Sequence, residues 1–223
     1  MTQPILFFAA GLGTRMRHLV VDQPKPLVKV GSKALIDHAL GFADAPDLQP
    51  KVVNLHYKSD MLRAHLGTRN IVFSDETDKL RETGGGLKHA LPLLGTSPVI
   101  TMNTDAVWRG ANPIEQLRQG WQPQMEALLL MVPKENVHGH LGKGDFLRSE
   151  DGRLRRGPGD IYTGVQMIRT ETLADMQQDA FSMNVIWDQI ADRGGLYGLT
   201  YQGQWCDVGQ PAGIPIAEEM LGV

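Results

Sequence analysis

The sequence predicts an α/β fold: one domain built on a mostly parallel sheet with helices on its faces. Three observations lead there. Short apolar or β-branched runs alternate along the chain with stretches whose apolar residues fall at helical spacing, as βαβ units require. At 223 residues there is material for one substantial core and little for two independent ones, so residues 1–223 read as a single domain. Neither internal repeats nor low-complexity segments interrupt the alternation.

Charge and composition exclude several classes of function. The formal net charge is −3, with Lys and Arg scattered rather than grouped, so no surface for nucleic acid or membrane is expected. The single Cys206 allows no intrachain disulfide. The N-terminus lacks a basic segment, and its apolar run at 4–10 is too short for a signal peptide or a membrane span. The protein is therefore expected in the cytoplasm; the sequence carries no reading of its oligomeric state.

In chain order, the uncharged run Ile5-Leu6-Phe7-Phe8-Ala9 reads as a buried strand. It leads into Ala9-Ala10-Gly11-Leu12-Gly13-Thr14-Arg15-Met16 and then Pro24-Lys25-Pro26. Small residues clear side chains from a sharp turn, so bare amides can approach an anion. Arg15 adds a fork of donors suited to phosphate oxygens, and Lys25, stiffened by its prolines, adds a point charge. The stretch reads as a triphosphate cradle. It is neither common nucleotide loop, because a dinucleotide fingerprint wants glycine where Met16 stands and a P-loop wants Gly-Lys-Ser/Thr.

Residues 34–43 carry Leu35, Ile36, Ala39, Leu40 and Ala43 at helical spacing, and 51–56 reads as the second strand. Ser59 is expected to cap a helix with Met61, Leu62 and Leu66 on one side, and 70–74 to return as a third strand. Glu82-Thr83-Gly84-Gly85-Gly86 then reads as a bare turn opening a helix, where free amides and the dipole favour electron-rich ligand atoms. Residues 98–105 read as a strand that ends in the carboxylate of Asp105. Ligands of open α/β sheets sit at the strands' carboxyl ends, so Asp105 is placed to hold a metal, a turn or cap aspartate being the alternative. Trp108 reads as packing.

Residues 126–132 form a buried strand and 133–144 a polar loop. Within that loop His138 and His140, with no nearby cysteine and only Asp145 as a further ligand, do not make a zinc site. The segments 146–148 and 153–155 flank Ser149-Glu150-Asp151-Gly152 as a hairpin. Tyr162 to Ile168 is a strand, and 184–193 is a helix with Val185, Ile186 and Ile190 inward.

The pairing of Ala9-Ala10-Gly11-Leu12-Gly13-Thr14-Arg15-Met16 with Pro24-Lys25-Pro26 resembles the signature of the sugar-phosphate nucleotidylyltransferases, the nucleoside-diphosphate-sugar pyrophosphorylases, and the resemblance covers essentially the whole chain. It implies the nucleotide-diphospho-sugar transferase fold, a Rossmann-like mixed sheet, with a nucleoside triphosphate and a sugar 1-phosphate as substrates. Carried over residue by residue, it implies Arg15 and Lys25 as catalytic cations. It implies Ala10, Gly11, Gly13, Thr14, Glu82, Thr83, Gly84 and Gly85 at the nucleotide. Asn103, Asp145, Thr163 and Gly164 are implied at the sugar. Asp105, with Asp207 from Trp205-Cys206-Asp207-Val208-Gly209, is implied as a Mg²⁺ ligand.

The loop Gly139-His140-Leu141-Gly142-Lys143-Gly144-Asp145-Phe146 resembles that of the short members acting on N-acetylmuramate 1-phosphate. That implies UTP as donor and a place in cell-wall peptidoglycan recycling. Guanylyl transfer to mannose 1-phosphate is the nearer alternative, and a non-catalytic nucleotide-sugar-binding regulator the one from another class. A dinucleotide oxidoreductase would use Asp37 at the ribose but lacks the third glycine. One departure stands out: Arg155-Arg156-Gly157-Pro158-Gly159 occupies the place where many relatives carry Glu-Lys-Pro, leaving the acceptor phosphate's partner open. A helix at 211–221 closes the chain, so the left-handed β-helix tail of bifunctional relatives, and its acyltransferase activity, are not expected.

Overall fold

In the computed structural model, which describes residues 2–95 and 97–223, the expected alternation is present. The first half holds β1 (Ile5–Phe8), the two-residue strands β2 (Lys29–Val30) and β3 (Lys33–Ala34), α1 (Leu35–Leu40), β4 (Lys51–Leu55), α2 (Ser59–Leu66), β5 (Val72–Asp75), α3 (Glu82–Leu94) and β6 (Val99–Asn103). Next come β7 (Ala106–Gly110), α4 (Pro113–Gly120), β8 (Ala127–Val132), β9 (Val137–His138) and the hairpin of β10 (Phe146–Arg148) and β11 (Leu154–Arg156). The remainder is β12 (Ile161–Ile168), α5 (Glu171–Ala174), α6 (Met183–Asp192), β13 (Leu196–Thr200), β14 (Gly203–Asp207) and α7 (Gly213–Leu221).

The main sheet runs β13-β8-β12-β6-β1-β4-β5. β12 is antiparallel to both of its neighbours, and every other pairing is parallel. The sheet is therefore mixed and mostly parallel, with the carboxyl ends of β1, β4, β5 and β6 along one edge. Strand alternation sends side chains to two cores. Ile5, Phe7, Leu128 and Leu130 pack with Ile36, Leu62 and Leu117. Leu6, Leu129 and Met131 pack with Leu87, Ile186 and Ile190 on the other face. A second sheet, β7-β14-β9, packs with α7 over Met16, Val107, Val208 and Ala217. Trp108 is buried in the first core, edge-on to Phe42.

Local details depart from the expectations. Ser59 does not cap α2: the cap position is Lys58 in the left-handed region at φ 51°, with no side-chain cap bond. Met61 is turned outward, because Leu62 and Leu66 define the buried stripe and position 61 lies about a hundred degrees round the helix. Val185 is likewise outside, since Met183, Ile186, Trp187 and Ile190 make the inner face of α6, and Ser182 caps that helix by accepting from the Asn184 amide.

The largest difference is the glycine run, which is not a turn before α3 but its first turns. Gly84, Gly85 and Gly86 are buried. A Cβ at Gly84 would lie 2.5 Å from the Phe181 ring, and one at Gly85 2.2 Å from the Asp179 carbonyl oxygen. Glycine is needed because the segment 179–181 crosses the helix at backbone contact.

Candidate active site

The parallel strands discharge their loops into one cleft of about 260 Å³. Its walls include Ala9, Ala10 and Gly11 after β1, Asn54 on β4, Glu82 and Thr83 opening α3, and Asn103 to Asp105 after β6. Such a cleft is where an open α/β sheet takes its ligands. The cradle segment continues into a 3₁₀ turn, Thr14–Val20, entered through Gly13 at φ 63°. A Cβ on Gly13 would meet Lys25 Cβ at 2.9 Å, so glycine lets the loop close over the lysine.

Lys25 is buried, and its Nζ donates to Asp105 Oδ2 at 2.7 Å. Burial disfavours ionisation of Asp105, but the Lys25 ammonium, helped by Arg15, outweighs it and holds the carboxyl below the usual carboxylate range. Asp207 ends β14, whose register sets it opposite Ala106, and the Val208 amide donates to the Asp105 carbonyl at 2.9 Å. The two aspartates thus leave neighbouring strand ends. Asp207 Oδ1 accepts from the Gly209 amide at 2.7 Å. Arg15 lies beside it: a Cβ on Gly209 would meet Asp207 Oδ1 at 2.8 Å and both terminal nitrogens of Arg15 at 3.3 Å.

Other residues read from sequence stand differently from expectation. The Ala10 amide is not free for an anion, since it donates to Asn54 Oδ1 at 3.1 Å, as Ala9 does at 2.6 Å. The amides of Gly84 and Gly85 both donate to the Phe181 carbonyl and lie outside the cleft lining. Glu82 and Thr83 do line the cleft, although the Thr83 hydroxyl accepts from the Met183 amide. Gly11 is exposed at the cleft with open space around it, and Thr14 is exposed at the start of the 3₁₀ turn.

At the expected sugar end, Asn103 lines the cleft and stands against Gly164, whose φ is 85°. The Thr163 hydroxyl, by contrast, is buried and donates to the Leu130 carbonyl, so its side chain points into the sheet. Asp145 Oδ2 accepts from the Tyr162 amide at 2.8 Å, where the β12–β8 register shifts. Arg155 is exposed on β11 and Arg156 pairs with Asp188; neither lines the cleft. Asp37 is bonded to His65 and Arg69 and does not line it either.

Sequence reasoning missed three residues. Asn54 and Glu76 are buried polar groups lining the cleft, and Asn54's signal was an amide inside the apolar run Val52-Val53-Asn54-Leu55. His140, read from sequence as no zinc ligand and otherwise only as part of the loop 139–146, sits with Nδ1 at 3.4 Å from Asp207 Oδ2, carried there by the pairing of β9 with β14. Cys206 is no nucleophile: burial, together with the Asp207 charge, pushes its thiol up to about 12.

Comparison with known proteins identifies the family of the chain. The MobA-like NTP transferase domain model matches residues 5–160. The N-acetylmuramate alpha-1-phosphate uridylyltransferase of Caulobacter vibrioides is 38% identical, over 97% of this chain and 96% of that protein. The protein of the same name from Neisseria meningitidis serogroup B is 28% identical over 97% of each. In fold, HddC from Yersinia pseudotuberculosis complexed with GMP-PN superposes with a TM-score of 0.79 at 21% identity, over 99% of this chain and 100% of that one. A family match over most of the chain, and a relative that similar along nearly its whole length, establish that the chain belongs to the MobA-like NTP transferase domain family and is a nucleotidyltransferase.

Proposed function

We propose that the enzyme transfers UMP from UTP to N-acetylmuramate 1-phosphate, giving UDP-N-acetylmuramate and pyrophosphate as a step of cell-wall recycling. The single observation that carries nucleotidyl transfer is the pairing of buried Lys25 with Asp105 in the cleft lining, with Asp207 and Arg15 at the neighbouring strand end. The choice of substrates draws on the 38% identical relative.

A phosphate oxygen of the acceptor attacks the α-phosphorus, and the bond from that phosphorus to the bridging oxygen breaks as pyrophosphate leaves. No general base is required, because the attacking oxygen is already ionised at neutral pH. Lys25 neutralises the transferred phosphoryl group and Arg15 the departing pyrophosphate, so catalysis rests on positioning and charge. Asn103 beside Gly164 faces the acceptor sugar. Glu82 and Thr83 border the nucleotide.

Asp105 and Asp207 fit a divalent cation. They supply hard carboxylate oxygens from adjacent strand ends, Lys25 occupies only one oxygen of Asp105, and no group of three or more His, Cys, Asp or Glu placed to hold a metal occurs among the described residues. That donor set suits Mg²⁺, which is commonly held by one or two carboxylates and completed by substrate phosphates. When bound, the ion supplies charge neutralisation at the phosphates. Phosphorylated substrates that do not cross membranes agree with a cytoplasmic location, and no helix among the described residues is long and apolar enough to span a membrane.

The test is a grid of pyrophosphate release with ATP, CTP, GTP, UTP and dTTP against several sugar 1-phosphates. UTP with N-acetylmuramate 1-phosphate is the expected best pair. A preference above about tenfold for GTP with mannose 1-phosphate, roughly 1.4 kcal/mol of transition-state discrimination, overturns the substrate choice. No release with any pair would make the protein a nucleotide-sugar-binding regulator.

A further inference from the structure

β1 keeps its ladder with β4 only as far as Phe7 and with β6 only as far as Phe8. The next two amides, Ala9 and Ala10, have run past their strand partners just where the chain enters the cradle. Both donate to one atom, Asn54 Oδ1, at 2.6 and 3.1 Å. Asn54 Nδ2 in turn donates to Glu76 Oε1 at 2.8 Å. The pair is walled in by α3, because a Cβ on Gly86 would lie 2.9 Å from Glu76 Oε1 and 3.1 Å from Asn54 Nδ2. Asn54 and Glu76 have relative exposures of 2% and 0%, and both border the cleft.

We propose that Asn54 and Glu76 form a buried positioning couple that holds the Ala9–Ala10 peptide at the mouth of the phosphate cradle, and so sets where Arg15 and Lys25 meet the nucleotide. The proposal rests on the functional reading above and deepens it. Neither side chain touches reacting atoms. Asn54 fixes the strand exit, and Glu76 fixes which end of the Asn54 amide faces that exit. With its carbonyl toward Ala9 and Ala10, Asn54 satisfies two donors at once; flipped, it would set an NH₂ group against two N–H groups.

Glu76 meets Asn54 through one carboxyl oxygen only. Its Oε2 is buried without a hydrogen-bond partner among the described residues. Burial raises its carboxyl above the ordinary range, against the lowering effects of the Asn54 hydrogen bond and of His89 and Arg81 nearby. His56 meets the backbone carbonyl of Glu76 through Nδ1 at 2.7 Å. Because the folded carboxyl ionises above its unfolded value of 4.5, the folded state binds the extra proton, and stability is lost as pH rises from that value through the folded one.

The experiment compares E76Q, E76L and N54A in the full chain by three readings: kcat and nucleotide KM for pyrophosphate release, hydrogen exchange over residues 8–13, and melting against pH. Gln keeps an oxygen that accepts the Asn54 hydrogen bond; Leu does not. E76L and N54A are expected to lose kcat by about ten- to a hundredfold, with nucleotide KM within about threefold, since a displaced loop misplaces charges that act in the transition state. Exchange at 8–13 is expected to rise about tenfold in both while the other strands of the sheet keep their protection. E76Q is expected to restore both readings, with a Tm that gains on wild type as pH increases above about 4.5.

Unchanged exchange at 8–13 in both N54A and E76L, or an E76Q variant as impaired as E76L, overturns the couple. If N54A does not fold, the contrast between E76Q and E76L decides. If wild type turns over no substrate pair, the functional reading fails, while the exchange and melting readings still judge the couple.

Discussion

Lys25 is a buried cation, and among the described residues its ammonium is matched by a single carboxylate, Asp105, at 2.7 Å. Lys25 opens the 3₁₀ turn Lys25–Leu27 between its two prolines, and its stem stands against the cradle loop at Gly13. Lys25→Ala should therefore lower kcat by about a hundredfold or more through loss of one positioned charge, while melting shifts by only a few degrees. Asp105 keeps a side-chain exposure of 34%, so water can reach the carboxylate that loses its partner. Steady-state rates beside thermal melts check this, and wild-type turnover would remove Lys25 from the site. The cations were legible from sequence because their neighbours are unusual: small residues and prolines clear and stiffen the loop around them. The roles of the amides were not, since an amide's partner is set by whatever lies across the fold, here Asn54 for Ala10 and Phe181 for Gly84 and Gly85.

At the scale of elements, α3 carries the main reversal. Three glycines in succession have low helix propensity, roughly 1 kcal/mol each against alanine, which makes a turn the reasonable local expectation. The helix forms over them because residues 179–181 press on it at backbone contact, and the amides of Gly84 and Gly85 bond to the Phe181 carbonyl. Gly85→Ala puts a methyl 2.2 Å from the Asp179 carbonyl oxygen. It should lower stability by about 1–3 kcal/mol through overpacking, read as a drop in Tm. Gly11→Ala is the control, since nothing lies within 4 Å of its Cβ. If the two variants melt alike, the packing account of the glycine run is wrong. The strands were legible because apolar runs bounded by turn residues leave few alternatives, whereas Met61 and Val185 were misassigned because one residue of phase on a helix turns a side chain by about a hundred degrees.

Across the whole molecule, the site depends on a meeting between distant parts of the chain. Asp105 follows β6 of the main sheet, and Asp207 ends β14 of the small one; the antiparallel pairing of β14 with β7 and the bond from the Val208 amide to the Asp105 carbonyl join them. If both hold one Mg²⁺, they act as a unit. Asp105→Asn and Asp207→Asn should then lose activity to similar extents, and the double variant should lose little more than either. Activity against Mg²⁺ concentration, with melting curves to verify folding, is the measurement. Losses that multiply in the double variant, or normal activity and Mg²⁺ dependence in Asp207→Asn, would show that no shared site exists.

The sequence by itself determined the α/β class, the strand exits that carry the cradle and Asp105, and the family to which the chain belongs. Those features are local: alternation, turn residues and a short motif lie within a few tens of residues of one another, and their physics does not wait for the rest of the chain. Tertiary structure alone decided how the polar groups are spent. It withdrew the Ala10, Gly84 and Gly85 amides from the ligand, turned the Thr163 hydroxyl into the sheet, brought His140 to Asp207, and buried Asn54 and Glu76 behind the cradle. A hydrogen-bonding group takes whichever partner the packed fold presents, and here those partners lie from 22 to about 100 residues away in sequence.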